Sequence, residues 1–460
     1  MSPAYAARIR EAITSLFAIQ CSDPNVAPTT LVLGRPCSQR ATGAAASDIT
    51  ARPQMTRSGR VAVHQNVTVP IPRTRPYQSA KNQARAGKIR ESQSARRTLR
   101  RTCGESREVS SIVGGGAQHI SGAWWSGASD AAGVLTPTPV RVVFIAGYAR
   151  SGSTLLERLL GQIDGFESFG ELRHIWFRSF VDNQLCGCGR PFRECPFWGE
   201  VVDRAFGGFA KVDAAAIGKL KRSVDAFVHI PRILSGRWTR SFRRRMAAYG
   251  ERLSALYGAI QSVSGATWIV DATKDPQHAY ILASTPGFDV RVIHLVRDSR
   301  AVVFSWRRTR RRPEIHWEPR DMPRYPGVRT VVAWSLTNLA SEAARRRLPY
   351  VLVRYEELAR DPGGQVARIL DELGLERADL GFIRGDEALL APAHTVAGNP
   401  MRFETGRIRI QADEEWRTGM GSLQRAVVTG LTRGLLSRYG YPLGPDGKRG
   451  LSVSSARDDR

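Results

Sequence analysis

The stretch that most constrains this chain is residues 141–161, RVVFIAGYARSGSTLLERLLG. Val142, Val143, Phe144, Ile145 and Ala146 form an unbroken apolar run, as a parallel strand buried on both faces requires. Gly147 and Gly152 bracket residues 148–151, and Ser153 and Thr154 stand where a helix would begin. Leu155, Leu156, Leu159 and Leu160 continue with helical spacing. The expected local structure is strand, tight turn, helix. A helix N-terminus presents free N–H groups and the positive end of its dipole, so this turn is suited to hold a phosphate-like anion. Arg150, Ser151, Gly152, Ser153 and Thr154 are the candidates to line it.

The spacing G-x-x-x-x-G-x-T departs from the nucleoside-triphosphate pattern at one position. Ser153 stands where that pattern has lysine, and a cation appears earlier, at Arg150. Without the lysine the turn still suits phosphate, but triphosphate chemistry is disfavoured. The competing reading is a P-loop kinase or ATPase, with Asp271 at the end of TWIVD as its metal ligand.

Length and charge narrow the class. The 460 residues, 42% hydrophobic, suffice for one large domain or two. The net charge of +26 is nearly all arginine, spread along the chain. It raises a basic anion- or nucleic-acid-binding protein as a further alternative. Neither zinc-finger spacing nor an RNA-binding signature accompanies the charge, so no nucleic-acid partner is expected. No run of 18 apolar residues spans a membrane, and no secretory leader is evident, so the default is a cytoplasmic enzyme.

Composition changes near Pro137-Thr138-Pro139. Residues 1–138 read as a disordered basic leader, with a short amphipathic helix around Ile9, Ile13, Leu16 and Phe17 and an arginine cluster at Arg96, Arg97, Arg100 and Arg101. Residues 139–445 read as the functional domain and 446–460 as a flexible tail. Beyond the opening stretch, strands are expected at 267–270, 290–296 and 350–354, and a short one before Glu171. Helices are expected over 172–181, much of 201–262, 299–306, 328–347 and 423–439. Strands separated by helices imply an α/β, P-loop-like three-layer fold with a mainly parallel sheet and helical insertions. Ligands in such folds sit at the carboxyl ends of the strands. Asp271, Lys274, Arg297 and Tyr355 fall at those ends, and Ser305 follows Arg297 by eight residues.

GYARSGSTLLERLL followed by LVRDSRAVVFSW resembles the sulfotransferase superfamily that uses 3′-phosphoadenosine-5′-phosphosulfate (PAPS), in its bacterial and tyrosylprotein-type branch. The resemblance covers about residues 140–445. It implies that Arg150, Ser151, Gly152, Ser153 and Thr154 hold the 5′-phosphosulfate, and that Arg297 and Ser305 hold the 3′-phosphate. It also implies that Glu171 of a G-E segment is the base and Lys274 of a K-D-P segment lies at the bridging oxygen, with Arg150 assisting. His174, three residues on, is the rival base. Tyr355 either lines the nucleotide pocket or packs under the sheet. Gly398, Asn399 and Arg402, in a segment resembling the family's cofactor-closing element, become candidates for phosphate or adenine contacts. The implied reaction moves a sulfuryl group to a hydroxyl or amine of a small-molecule or carbohydrate acceptor, and no metal is required. Oligomeric state is not legible.

One cysteine cluster stands apart. Cys186 and Cys188, with Cys195 seven residues later, have spacing compatible with zinc, a disulfide or plain structural thiols. No fourth ligand is evident nearby, and His174 is distant in sequence.

Overall fold

The computed structural model describes residues 139–444. The leader 1–138, with its expected helix and arginine cluster, and the tail 446–460 lie outside the described residues.

Five strands form a parallel sheet: β1 (Val140–Ala146), β2 (Phe166–Ser168), β3 (Trp268–Lys274), β4 (Phe288–Val296) and β5 (Tyr350–Arg354). Their order is β2-β3-β1-β4-β5. The apolar run of β1 explains its central place. Val142 and Phe144 enter the core on one face, while Val143 and Ile145 enter the core on the other. β1 pairs with β3 on one side and β4 on the other, so the chain builds one edge with β2 and β3 before crossing β1 to add β4 and β5. A reversal of this kind opens a ligand crevice at the carboxyl ends of the strands.

Helices cover both faces. On one side lies α1 (Ser153–Leu160), whereas the insert formed by α2 (Pro196–Phe206), α3 (Ala214–Val224), α4 (Ile230–Ser235) and α5 (Arg240–Ser264) packs on the opposite side. In α5, Phe242, Met246, Tyr249, Leu253, Leu256, Tyr257 and Ile260 are buried at helical spacing, and Thr239 caps its start. The helices α6 (Pro276–Ala283), α7 (Ser299–Ser305) and α8 (Gly327–Glu342) follow β3 and β4. After β5 come α9 (Tyr355–Arg360) and α10 (Pro362–Glu372), then α11 (Trp416–Gly419) and α12 (Ser422–Arg438).

Three local expectations change. Residues 172–181 are not one α-helix but a 3₁₀ turn, Leu172–His174, followed by a wide π turn, Ile175–Ser179. The turn carries Trp176 and Phe180 into the core, where their rings stack at 5.5 Å. Strand β3 does not stop before Asp271 but runs on to Lys274. The polar residues there are satisfied inside: Tyr257 donates to Asp271 Oδ2 at 2.6 Å, and the Thr273 hydroxyl donates to Asp271 Oδ1 at 2.6 Å. A second, antiparallel sheet is added by β6 (Ile383–Arg384), β7 (Glu387–Leu390) and β8 (Gly406–Arg409), where no strand was expected. These strands are two to four residues long, too short for alternation to announce them.

Candidate active site

The candidate residues follow the strands. Gly147 follows β1, Glu171 comes shortly after β2, Lys274 ends β3, Arg297 follows β4 and Tyr355 follows β5. Ser305 is the buried last residue of α7.

The turn after β1 is strained into shape. Arg150 holds φ 71 and Gly152 φ 88, and α1 begins at Ser153 with no side chain capping it. A non-glycine residue held at positive φ costs about 1–3 kcal/mol and persists where its surroundings impose it. At position 152 a Cβ would collide with the Tyr355 ring, so glycine is required there on two counts. Tyr355 therefore packs directly beneath the turn. Its hydroxyl accepts from Asp413 N at 3.2 Å, and the Arg297 guanidinium lies 4.5 Å above its ring. Arg297 Nη1 donates to the Arg150 carbonyl at 3.1 Å, which joins the two motifs of the sequence.

Several polar atoms around this turn are buried without a hydrogen-bond partner: Ser151 Oγ, Arg150 Nε and Arg297 Nε. Positive charge is concentrated there too. Burial, with Arg310, Arg297 and Arg308 close by, lowers the Arg150 pKa to about 10. Asp413 is the opposing anion, 3.3 Å from Arg297 and 3.1 Å from Arg308. Unpartnered donors, excess cations and an uncapped helix start together suit a dianionic phosphate ligand.

Glu171 stands on the next strand end. Its N–H donates to the Val396 carbonyl at 2.8 Å, and its carboxylate accepts from Lys274 Nζ. Burial opposes its ionisation, but Lys274, Arg178 and Arg402 outweigh that and hold its carboxyl below the ordinary value. His174 Nε2 lies 3.6 Å from Glu171 Oε2, on the shared turn that the three-residue spacing implies. Burial and the cations Arg178, Arg173, Lys221 and Lys274 push His174 well below its ordinary value, so it is neutral at pH 7. Lys274, like Arg150, has a left-handed backbone, with φ 73. Arg173 is not a ligand candidate. It grips Asp225 at 2.9 Å and Asp275 at 2.8 Å, and its N–H donates to Thr273 Oγ1 at 3.2 Å, locking the turn that carries Glu171 to β3 and the helical insert.

Gly398 shows how these parts meet. At its φ of 110, the position of a Cβ would lie 3.7 Å from Glu171 Oε1 and 3.8 Å from Thr154 Oγ1. The carboxylate and the first turn of α1 thus face one point, and glycine keeps that point open. Two neighbours in the sequence serve differently. Asn399 Oδ1 accepts from Met401 N at 3.1 Å and caps a short turn. Arg402 is fully buried and donates to the carbonyls of Thr395 and Leu185, both at 2.6 Å. Both side chains thus have protein partners in the segment that the sequence reading offered for phosphate or adenine contacts.

Sequence reasoning passed over Glu157. It lies three residues after Thr154 on α1, buried, with neither carboxylate oxygen hydrogen-bonded. Burial pushes its carboxyl up to about 8, Lys274 opposes this and Glu171 adds to it. The only signal was a charged residue within LLERLL. An acid raised in the folded state favours the protonated native form, so a folding penalty opens as pH passes the ordinary carboxylate value and is complete above the folded value. Glu157→Gln mimics the protonated form. Its melting temperature should gain on the wild type as pH rises from about 5 to about 9. A difference constant across that range would remove this account of Glu157.

A family model described as the sulfotransferase family matches residues 142–379. The chain belongs to the sulfotransferase family. Membership makes it a transferase, and the match spans the turn, Glu171, Lys274, Arg297 and Tyr355. Among solved structures, this sulfotransferase is similar to the sulfotransferase domain of the Synechococcus PCC 7002 olefin synthase. Identity is 19% and the TM-score 0.34, over 67% of this chain and 98% of that one. It is also similar to the sulfotransferase domain from the curacin biosynthetic pathway, at 16% identity and TM-score 0.35, over 64% and 96% of the two chains. A sulfotransferase from Mycobacterium tuberculosis H37Rv shares 15% identity with TM-score 0.27, over 52% and 69%. No curated protein sequence matches. Among the described residues, no helix of this sulfotransferase is long and apolar enough to cross a membrane.

Proposed function

We propose that this sulfotransferase moves a sulfuryl group from PAPS to a hydroxyl or amine of a small-molecule or carbohydrate acceptor, and that residues 139–445 carry the activity. The observation that carries this reading is the convergence of the Glu171 carboxylate and the Thr154 hydroxyl on one point beside an uncapped helix start.

The 5′-phosphosulfate lies on the turn, against the N–H groups of α1, Ser151, Ser153 and Thr154. Arg297 and Ser305 take the 3′-phosphate, which replaces Asp413 as the partner of Arg297. Sulfuryl transfer is an in-line displacement in which charge spreads over the equatorial oxygens, so positioning and electrostatics do most of the work. Glu171 takes the acceptor proton. Lys274 and Arg150 stabilise the charge that develops on the departing phosphate. The kinase reading fares worse: Asp271, its metal-ligand candidate, is buried within β3 and already engaged by Tyr257 and Thr273.

Calorimetry tests the donor site. Wild type should bind adenosine 3′,5′-bisphosphate more tightly than AMP. Arg297→Ala should lose about 10–100-fold for the bisphosphate, the worth of a charged hydrogen bond, and little for AMP. Equal affinity of the wild type for both nucleotides, or an unchanged affinity in the variant, would sink the assignment.

A further inference from the structure

The cysteine cluster has found its fourth member. Leu185 pairs with Pro191 across a tight turn in which Cys186 N donates to Arg190 O at 2.8 Å and Gly189 N donates to Cys186 O at 2.8 Å. This turn carries Cys186 and Cys188. Cys195 sits in extended backbone at the start of α2. His394 arrives 199 residues after Cys195, in the segment that follows β7, with its ring stacked on Phe197 at 4.7 Å. All three cysteines are free thiols, with Cys186 and Cys195 buried.

The spacing decides what the group can hold. Cys188 Sγ lies 3.7 Å from Cys195 Sγ, and His394 Nδ1 lies 3.7 Å from Cys186 Sγ and 3.3 Å from Cys195 Sγ. The four atoms all lie within 4.8 Å of one another. A tetrahedral zinc ion with bonds of ~2.3 Å to sulfur and ~2.0–2.1 Å to nitrogen sets its ligands ~3.8 Å apart for sulfur pairs and ~3.5 Å for sulfur and nitrogen. A disulfide would bring two sulfurs to ~2.05 Å. A polynuclear iron–sulfur cluster would hold its ligands farther apart, because several irons and sulfides stand between them. Three thiolates and one imidazole are also soft donors that select zinc over magnesium or calcium.

We propose that Cys186, Cys188, Cys195 and His394 bind a single structural zinc ion, and that this ion seats Glu171. Binding releases the three thiol protons to solvent and forms three Zn–S bonds and one Zn–N bond, with no change of oxidation state. Four protein ligands close the coordination shell, so the ion takes no part in the transfer step. Its reach to the active site is short. Gly187 N donates to Thr395 O at 2.9 Å, Val396 N donates to Phe169 O at 2.9 Å, and Glu171 N donates to Val396 O at 2.8 Å. The segment that supplies His394 is therefore hydrogen-bonded, two residues later, to both residues flanking Gly170, Glu171 among them. His394 is a positioning residue in this scheme.

Metal analysis of the full chain, purified in reducing buffer without chelator, should find one zinc per chain. A chain with Cys21, Cys37 and Cys103 replaced by serine should keep it, since all four proposed ligands are left in place. Cys195→Ser and His394→Ala should each lower zinc affinity at least ~10-fold. Should those variants fail to fold, cobalt exchanged into the wild type should give the intense visible and thiolate charge-transfer bands of a tetrahedral, sulfur-rich site. Removing zinc with chelator should lower kcat while the affinity for adenosine 3′,5′-bisphosphate holds, and added zinc should restore kcat. Wild-type protein free of zinc, a Cys188–Cys195 disulfide under these conditions, iron with cluster absorption, or loss of zinc from the Cys21/Cys37/Cys103 variant would overturn the proposal.

Discussion

Glu171→Gln should lower kcat by about 10²–10⁴-fold, the usual worth of a positioned general base, with little change in the KM for PAPS. Glutamine keeps the size and a hydrogen-bond acceptor for Lys274 but cannot take a proton. In the free enzyme Glu171 is held ionised by Lys274, and it is a weak base while that ion pair lasts. In the proposed scheme Lys274 turns to the departing phosphate, and the carboxylate then loses its nearest counter-ion. Burial then dominates and its proton affinity rises as the acceptor proton must leave. The same pairing sets the pH profile. A base with a depressed pKa is ionised above the ordinary carboxylate range, so the acid limb of the wild type in kcat/KM should lie below it. Stability follows the same sign. The contribution of Glu171 is present above the unfolded carboxylate value and is lost as pH falls through the folded one. His174 is neutral at pH 7 and close enough to compete for the role. Steady-state kinetics of Glu171→Gln beside His174→Gln decide between them, and a collapse of kcat confined to the histidine variant would transfer the role of base.

Lys274→Ala should lower kcat by about 10²–10³-fold, as expected when one group stabilising transition-state charge is removed. A second effect separates this role from simple nucleotide binding. Without the lysine, burial acts on Glu171 against weaker opposition, its pKa rises, and the acid limb in kcat/KM moves to higher pH. The backbone supports an active-site role for this lysine. Its carbonyl accepts from Gly147 N at 3.1 Å, tying β3 to the turn after β1, its backbone is left-handed, and its side chain donates to Glu171. Alanine leaves that carbonyl in place. A variant with full kcat and weakened PAPS binding alone would make Lys274 a binding cation instead.

The parts legible beforehand were those with local causes. The β1 run, the glycine-bounded turn and the leucines of α1 announce themselves within 21 consecutive residues, because burial on two faces, positive φ and helical spacing each act on neighbours. Lys274, Arg297 and Tyr355 could be placed at strand ends for the same reason. The extension of β3 through Asp271 and Thr273 was hidden, since polar residues enter a buried strand only when partners such as Tyr257 satisfy them, and Tyr257 lies on α5. The protein partners of Arg402 and Asn399 were hidden too, because a basic, glycine-containing segment reads as a loop. Which carbonyls an arginine meets is settled by packing between distant segments.

By itself the sequence determined the α/β architecture, the glycine-bounded turn and the pair of motifs that carry the family resemblance. Only the tertiary structure decided that Thr154 and Glu171 face one point, that Glu157 is sealed in without a partner, and that His394 completes the cysteine cluster. The physical reason is range. Backbone conformation and hydrophobic periodicity are set by residues a few positions apart, whereas ion pairing, burial of charge and the meeting of side chains at one point depend on residues brought together from separate elements.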